Sequence, residues 1–262
     1  MEKLQLRDYA ALVSDAVGDY CFPTVTFDFY RHSERRHADM RGVEQCIGKS
    51  LRSDDLHAVR DGLSNVLYWG WAQRPGLRDS KVRDFRNGKN RVLPTDDRLV
   101  RFKGLVRCWC SRRVAAESAV RPDDAPPIAQ RLQDLKSLGL PQFSQMSFTT
   151  KILMFLDPEN CPVLDLRIAK AVAEVGDFAR LQGLKFGRGG IRITKANAAC
   201  YACWSLWCKR TAARVNEAPE SPCRGLRAVD VERALFTRVA TGMDQVRTLL
   251  AGPQCGDCGA QG

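Results

Sequence analysis

A lysine and an aspartate stand 14 positions apart in TTKILMFLDPENCPVLDLRIAKAV, residues 149–172. Lys151 falls in an apolar run that breaks at Asp157-Pro158, and Asp165 falls between a second apolar run and the start of a helical pattern. A carboxylate beside a primary amine is a pair that enzymes use for nucleophilic or acid–base chemistry. Because a helix, a proline-containing turn and a second helix can fold back on each other, we expect both side chains in one pocket.

Each residue of this pair also has a structural alternative. An aspartate before a helical run is a good N-cap, since its carboxylate accepts the free amides of the first turn. The helix dipole favours its negative charge there. Lys151 could be a surface lysine at helical spacing, or the ion-pair partner of Asp157. Spacing alone does not decide between these roles and a catalytic one.

The elements that must position the pair are mostly helices. Apolar residues recur every three or four positions along most of the chain. Ser53-Asp54-Asp55 and Thr95-Asp96-Asp97 each offer a helix start. The segment FPTVTFDFYRHSERRH alternates briefly and is predicted to be extended. The fold class predicted from this pattern is all-α, with one small β-hairpin.

The chain is basic, with 41 Lys and Arg against 30 Asp and Glu and a formal charge of +11. Such an excess indicates a polyanionic partner, usually nucleic acid; a soluble basic enzyme is the alternative. The candidate phosphate-binding residues form a cluster at Arg74, Arg78, Lys81, Arg83 and Arg86, a glycine-rich segment with Lys185, Arg188 and Lys195, and Arg167 after the aspartate. A solvated charged face would have the same composition.

Three aromatic residues, Tyr68, Trp69 and Trp71, are candidates for the wall of a substrate pocket, and core packing is the alternative for each. Eleven cysteines include CxxC pairs at Cys200/Cys203 and Cys255/Cys258. Two such pairs could hold zinc, but one lies in an aromatic-rich helical pattern and the other in a tail. We therefore expect reduced thiols, no metal and no cofactor. The absence of a signal-peptide pattern or an apolar span predicts a cytoplasmic protein.

The run Pro162-Val163-Leu164-Asp165-Leu166-Arg167-Ile168 resembles the catalytic stretch of helix-hairpin-helix DNA glycosylases, in which an aspartate heads the second helix. The blocks NVLYWGWAQRPGLRDSKVRDFR and AVDVERALF resemble bacterial relatives of the oxoguanine-glycosylase fold. The resemblance implies two helical subdomains that flank a cleft. One would comprise residues 1–52 with 177–251, the other 53–176, and 252–262 would form a flexible tail.

The resemblance also implies a function: flipping and excision of a modified base from duplex DNA by a monomer, with Asp165 and Lys151 catalytic. The segment LGLPQFSQMSF departs from the family's Leu-Pro-Gly-Val-Gly hairpin. Ser147, rather than Lys151, falls near the register of the family's lysine, which favours a monofunctional enzyme and places Ser147 in the substrate pocket. The expected substrate is a hypermodified phage base such as glucosylated hydroxymethylcytosine. Oxidised guanine, or nucleic-acid binding without catalysis, is the alternative.

Overall fold

A computed structural model describes residues 6–72, 84, 92–118, 128–175, 181–187, 190–218 and 224–251. Within these ranges the chain forms ten helices and four short strands. The helices are α1 (Leu6–Gly18), α2 (Met40–Leu51), α3 (Leu56–Ala72), α4 (Asp96–Ser118), α5 (Ile128–Ser137), α6 (Met146–Leu156), α7 (Leu166–Val175), α8 (Lys195–Glu217), α9 (Ala228–Thr241) and α10 (Met243–Ala251). The mostly helical fold class is confirmed for the described part of the chain.

The strands form two small antiparallel hairpins. β1 (Val25–Asp28) pairs with β2 (Ser33–Arg36), with Val25 opposite Arg36. This confirms the extended segment predicted from its alternation. β3 (Phe186–Gly187) pairs with β4 (Gly190–Ile191) within the glycine-rich basic segment.

The helix starts predicted at Ser53-Asp54-Asp55 and Thr95-Asp96-Asp97 are confirmed. α3 begins after Asp55, whose Oδ1 accepts the backbone N–H of His57 at 2.9 Å. α4 begins at Asp96. The sequence pattern gave no prediction for α2, which starts at an N-cap, Asp39, whose Oδ1 accepts the N–H of Gly42 at 2.8 Å.

Two helices, α6 and α9, each pack against several other elements. α6 contacts α2, α3, α5 and β4, and α9 contacts α1, α7, α8 and α10. The buried apolar side chains form one core cluster that draws on both halves of the chain. The division into two subdomains stays a prediction, and the tail lies outside the described residues. No helix in the described ranges is long and apolar enough to cross a bilayer.

Candidate active site

A cleft of about 560 Å³ opens where α3, α6, α7, β4 and α9 meet. Lys151 and Asp165 both line it, so the structure brings the predicted pair into one pocket. Among the other lining residues are Gly70, Trp71, Gln145, Ser147, Phe148, Arg167, Lys170, Gly190, Ile191 and Phe236. Trp71 and Ser147 also line this cleft, and their role in a substrate pocket stays a prediction.

Asp165 is the N-cap of α7. Its Oδ1 accepts the backbone N–H of Arg167 at 2.9 Å and that of Ile168 at 3.0 Å. The helix N-terminus favours a negative charge at this position. The carboxylate is half-buried and faces the cleft. The capping role is therefore confirmed, and it coexists with a position at the cleft, because capping engages Oδ1 alone among the described contacts.

Lys151 is held inside the protein by α6. The residue is 3% exposed, so the surface-lysine alternative is wrong. Nζ lies 3.1 Å from Ser147 Oγ and 3.4 Å from the Ser147 carbonyl oxygen, one helical turn earlier. It also lies 5.2 Å from the centroid of the Phe148 ring, a cation–π distance. The remaining alternative partner, Asp157, pairs with Arg131 at 3.1 Å.

Aromatic rings form two walls of the cleft. Trp71 and Phe148 meet edge to face with centroids 6.0 Å apart. Gly70 allows this contact, because a Cβ there would lie 2.5 Å from Phe148 Cε1. At the α9 wall the Arg167 guanidinium carbon lies 5.4 Å from the centroid of the Phe236 ring. Aromatic rings at a cleft wall can contribute stacking or edge contacts to a planar ligand.

Gln145 supplies an unpaired polar atom at the cleft wall. It is the N-cap residue of α6, but its side chain makes no capping hydrogen bond. Its Oε1 is buried and has no hydrogen-bond partner among the described residues. A Cβ on Gly190 would come within 3.5 Å of this oxygen. Because an unsatisfied buried acceptor is costly, the geometry leaves Oε1 available to a donor on a bound ligand.

A second, much smaller cavity of about 10 Å³ adjoins the cleft, since Lys151, Asp165 and Phe236 line both. We call it the inner chamber; its other walls are Tyr20, Phe22, Trp69, Val163 and Glu232. Its volume suits about one water molecule. Trp69 is thus placed at this chamber, beside the predicted pair, and its buried Nε1 has no hydrogen-bond partner in the described part of the chain.

Glu232, on α9, is a functional candidate that sequence reasoning missed. The residue is 4% exposed. Burial, with the like charge of Asp165 as the second cause, raises the pKa of Glu232 to about 8 against the opposing charges of Arg233 and Lys151. It is therefore mostly protonated at neutral pH. The only sequence signal was a carboxylate within the mostly apolar run AVDVERALF.

The placement of Tyr68 at the pocket wall needs correction. Its ring lies 5.5 Å from that of Phe27, and its hydroxyl donates to the Glu34 carboxylate on β2. Successive positions of a helix turn by about 100°, so the three aromatic residues of α3 leave it in different directions. Tyr68 faces the β1–β2 hairpin, while Trp69 faces the inner chamber and Trp71 the cleft.

Exposed basic residues border the cleft on two elements. Arg167 lines it from α7, together with Lys170, which the sequence had not singled out. Lys185 and Lys195 are exposed and flank the β3–β4 hairpin, whose Gly190 also lines the cleft. Outside the described residues lie Arg74, Arg78, Lys81, Arg83, Arg86 and Arg188. The role of all these residues in DNA binding stays a prediction.

The cysteines do not assemble into a metal site in the described part of the chain, where no group of three or more His, Cys, Asp or Glu has suitable geometry. Cys200 and Cys203 lie on α8, and Cys255 and Cys258 lie outside the described residues. The expectation of reduced thiols without metal stays a prediction.

Comparison of the chain with family models, with curated proteins and with solved structures found no match.

Proposed function

We propose that this protein is a DNA glycosylase that cuts the N-glycosidic bond of a modified base flipped out of duplex DNA. The observation that carries the proposal is the convergence of Asp165 and Lys151 in one cleft with aromatic walls. Glycosidic cleavage builds positive charge on the sugar, which a nearby carboxylate stabilises. An extruded base needs a pocket whose walls stack on it, and Trp71, Phe148 and Phe236 supply such walls.

In this proposal Asp165 faces the sugar and Lys151 faces the leaving base. Asp165 either stabilises the sugar cation directly or orients the attacking water, and α7 fixes its position through the N-cap hydrogen bonds. An amine could instead attack the sugar and form a Schiff base. We favour hydrolysis that leaves an intact abasic site, because Lys151 is buried and its Nζ is held by Ser147.

The size of the cleft supports a bulky substrate. Pockets of about 300–1,000 Å³ enclose drug-sized ligands, and a cleft of about 560 Å³ falls within that range. It thus offers more room than an unmodified base needs. A glucosylated hydroxymethylcytosine, as in phage DNA, is our first candidate, with a role in antiviral defence. Oxidised guanine is the alternative.

Base release is the test. The purified protein would be incubated with phage DNA containing glucosylated hydroxymethylcytosine, with unmodified host DNA, and with a duplex containing oxidised guanine. Mass spectrometry would detect free bases, and an aldehyde-reactive probe would detect abasic sites. We expect a free modified base and an equal number of abasic sites from one of the two modified DNAs. Salt-sensitive binding with no base released from any DNA would instead support a non-catalytic nucleic-acid-binding protein.

A further inference from the structure

Glu232 is a buried acid that takes no part in the ion pairs formed by neighbouring residues of its own helix. Its neighbour Arg233 binds Glu44 at 2.6 Å and Asp230 at 3.2 Å. Glu232 itself makes no hydrogen bond or ion pair with the described residues. Buried carboxyl groups without partners are uncommon, because burial without compensation is costly. Such a group is a candidate for function when it also lies at a site.

The surroundings of Glu232 combine apolar walls with few ionisable groups. Phe22, Trp69, Val163 and Phe236 close the inner chamber around it. The charged and titratable groups that act on it come from several elements: Asp230 and Arg233 of α9, Tyr20 after α1, Lys151 of α6, Asp165 at the start of α7 and Cys208 of α8. On α10, Asp244 and Arg247 are exposed and pair with each other at 2.8 Å.

Lys151 and Asp165 are the members of this set that also face the cleft. Glu232 thus lines the inner chamber together with the proposed catalytic pair, both of whose members also line the cleft. We propose that Glu232 is a proton-exchanging partner of Lys151 and Asp165, acting through them across the inner chamber. It is a positioning residue in this scheme, since it does not line the cleft itself. The inference rests on the proposed function.

The proton balance of the reaction explains why a third group is useful. When the C1′–N bond breaks, its electron pair goes to the base, which takes a proton from the Lys151 ammonium. Water forms the new C1′–O bond and gives a proton to the Asp165 carboxylate. Lys151 and Asp165 are then both uncharged. Glu232 resets the pair by giving its proton to Lys151 and accepting the proton held by Asp165.

The first test is the pH profile of multiple-turnover base release by the protein, since Glu232 resets the catalytic pair between turnovers. Wild type, Glu232→Gln, Glu232→Asp and the control Glu174→Gln, an exposed carboxylate on α7, would be compared between pH 6 and 10. We expect the wild-type rate to change around pH 8, the raised pKa of Glu232. Glu232→Gln should be slower by about 10²-fold, the lower end for a positioned proton-transfer group, and should lack that inflection. Glu232→Asp should retain it. A Glu232→Gln protein with the wild-type rate and profile would overturn the inference.

The second test does not require activity, so it separates this inference from a failure of the proposed function. Infrared difference spectroscopy would follow the Glu232 carboxyl, assigned by its loss in Glu232→Gln. Asp165→Asn should lower the midpoint of its titration, because a like charge is removed. Lys151→Gln should raise it, because an opposite charge is removed. A midpoint that neither substitution moves would overturn the coupling, whether or not any base is released.

Discussion

Helix α9 contributes side chains to two polar clusters that compensate their charges in opposite ways. In the first, which we call the ion network, Glu44 binds Arg227 at 2.5 Å and Arg233 at 2.6 Å. Asp230 binds the same two arginines at 2.9 and 3.2 Å. Burial raises the pKa of Asp230, but the hydrogen bonds and charges of the two arginines outweigh it and the pKa is lowered. Each carboxylate is thus matched by two guanidinium groups.

The second cluster comprises Lys151, Asp165 and Glu232, and its buried carboxyl group, Glu232, is not ion-paired with the described residues. Glu232 is one residue from Arg233 in sequence, yet the two side chains belong to different clusters. Burial keeps Glu232 protonated, so it is not part of an ion pair. One oxygen of Asp165 accepts the hydrogen bonds that cap α7. Since removing one partner from a buried pair leaves an uncompensated charge and is strongly destabilising, the fold depends on the ion network staying complete. In the second cluster, Glu232 holds a proton, which the proposed proton exchange with Lys151 and Asp165 requires.

The largest effect on stability is expected in the ion network. Glu44→Gln would leave Arg227 and Arg233 with one carboxylate between them. Breaking a buried pair costs about 3–5 kcal/mol, so urea unfolding should show a loss of that order. Base release per folded molecule should stay unchanged, because Glu44 does not line the cleft or the inner chamber. The control Asp54→Asn removes an exposed partner of Arg107 and should lose far less. Equal losses in both variants would contradict the comparison.

Glu232 should make the stability of the protein depend on pH. Its pKa is raised from 4.5 to about 8 in the folded protein, so the folded state holds a proton that the unfolded chain releases. The contribution is fully present below pH 4.5 and is lost as pH rises towards 8, by up to about 1.4 kcal/mol per pH unit. Glu232→Gln cannot ionise, so its free energy of unfolding relative to wild type should increase between pH 5 and pH 9. Parallel pH curves for the two proteins would contradict this.

Lys151→Gln tests the assignment of the amine. We expect base release to slow by about 10²-fold, since a proton donor to the leaving base is lost. Both wild type and variant should leave intact abasic sites, and borohydride should trap no covalent complex with either. A covalent complex trapped with wild type and absent from Lys151→Gln would instead establish the Schiff-base route.

The smallest expected effect is at the basic border of the cleft. Log affinity for duplex DNA should fall with log salt concentration, and the slope should decrease by roughly 0.9 for each phosphate contact removed. Arg167→Gln with Lys170→Gln should therefore lower the slope by up to about 1.8. Lys49→Gln with Arg247→Gln removes two exposed charges from α2 and α10 and is the matched control. Equal slopes for both double variants would show that the cleft border does not contact phosphates.

Features that depend on neighbouring residues could be predicted from the sequence. Asp165 was recognisable as a helix start because capping is local. Lys151 could be placed in the same pocket because it stands only 14 positions earlier, with a proline-containing turn between. The helix α2 was missed because glycines weaken the helical signal. Gly48 is there for packing, since a Cβ would lie 2.6 Å from the Phe155 carbonyl oxygen on α6.

Features that depend on tertiary packing could not be predicted. Glu232 is 67 positions from Asp165 in the chain, and no spacing rule joins them. Its segment reads as an ordinary amphipathic helix until burial shows that every residue from Ala228 to Leu235 is inside. Tyr68 was misplaced because composition indicates that aromatic residues are near a site but not which way each ring points.

The most direct test of the account is base release by Asp165→Asn compared with Asp39→Asn. Both residues are N-caps whose Oδ1 accepts backbone N–H groups, but only Asp165 lines the cleft. Both variants should lose at most ~1 kcal/mol of stability and keep wild-type affinity for DNA. We expect Asp165→Asn to lose about 10²–10³-fold in single-turnover release, the scale of one electrostatic contact to a transition state, and Asp39→Asn to match wild type. Full release by Asp165→Asn would contradict the proposed mechanism.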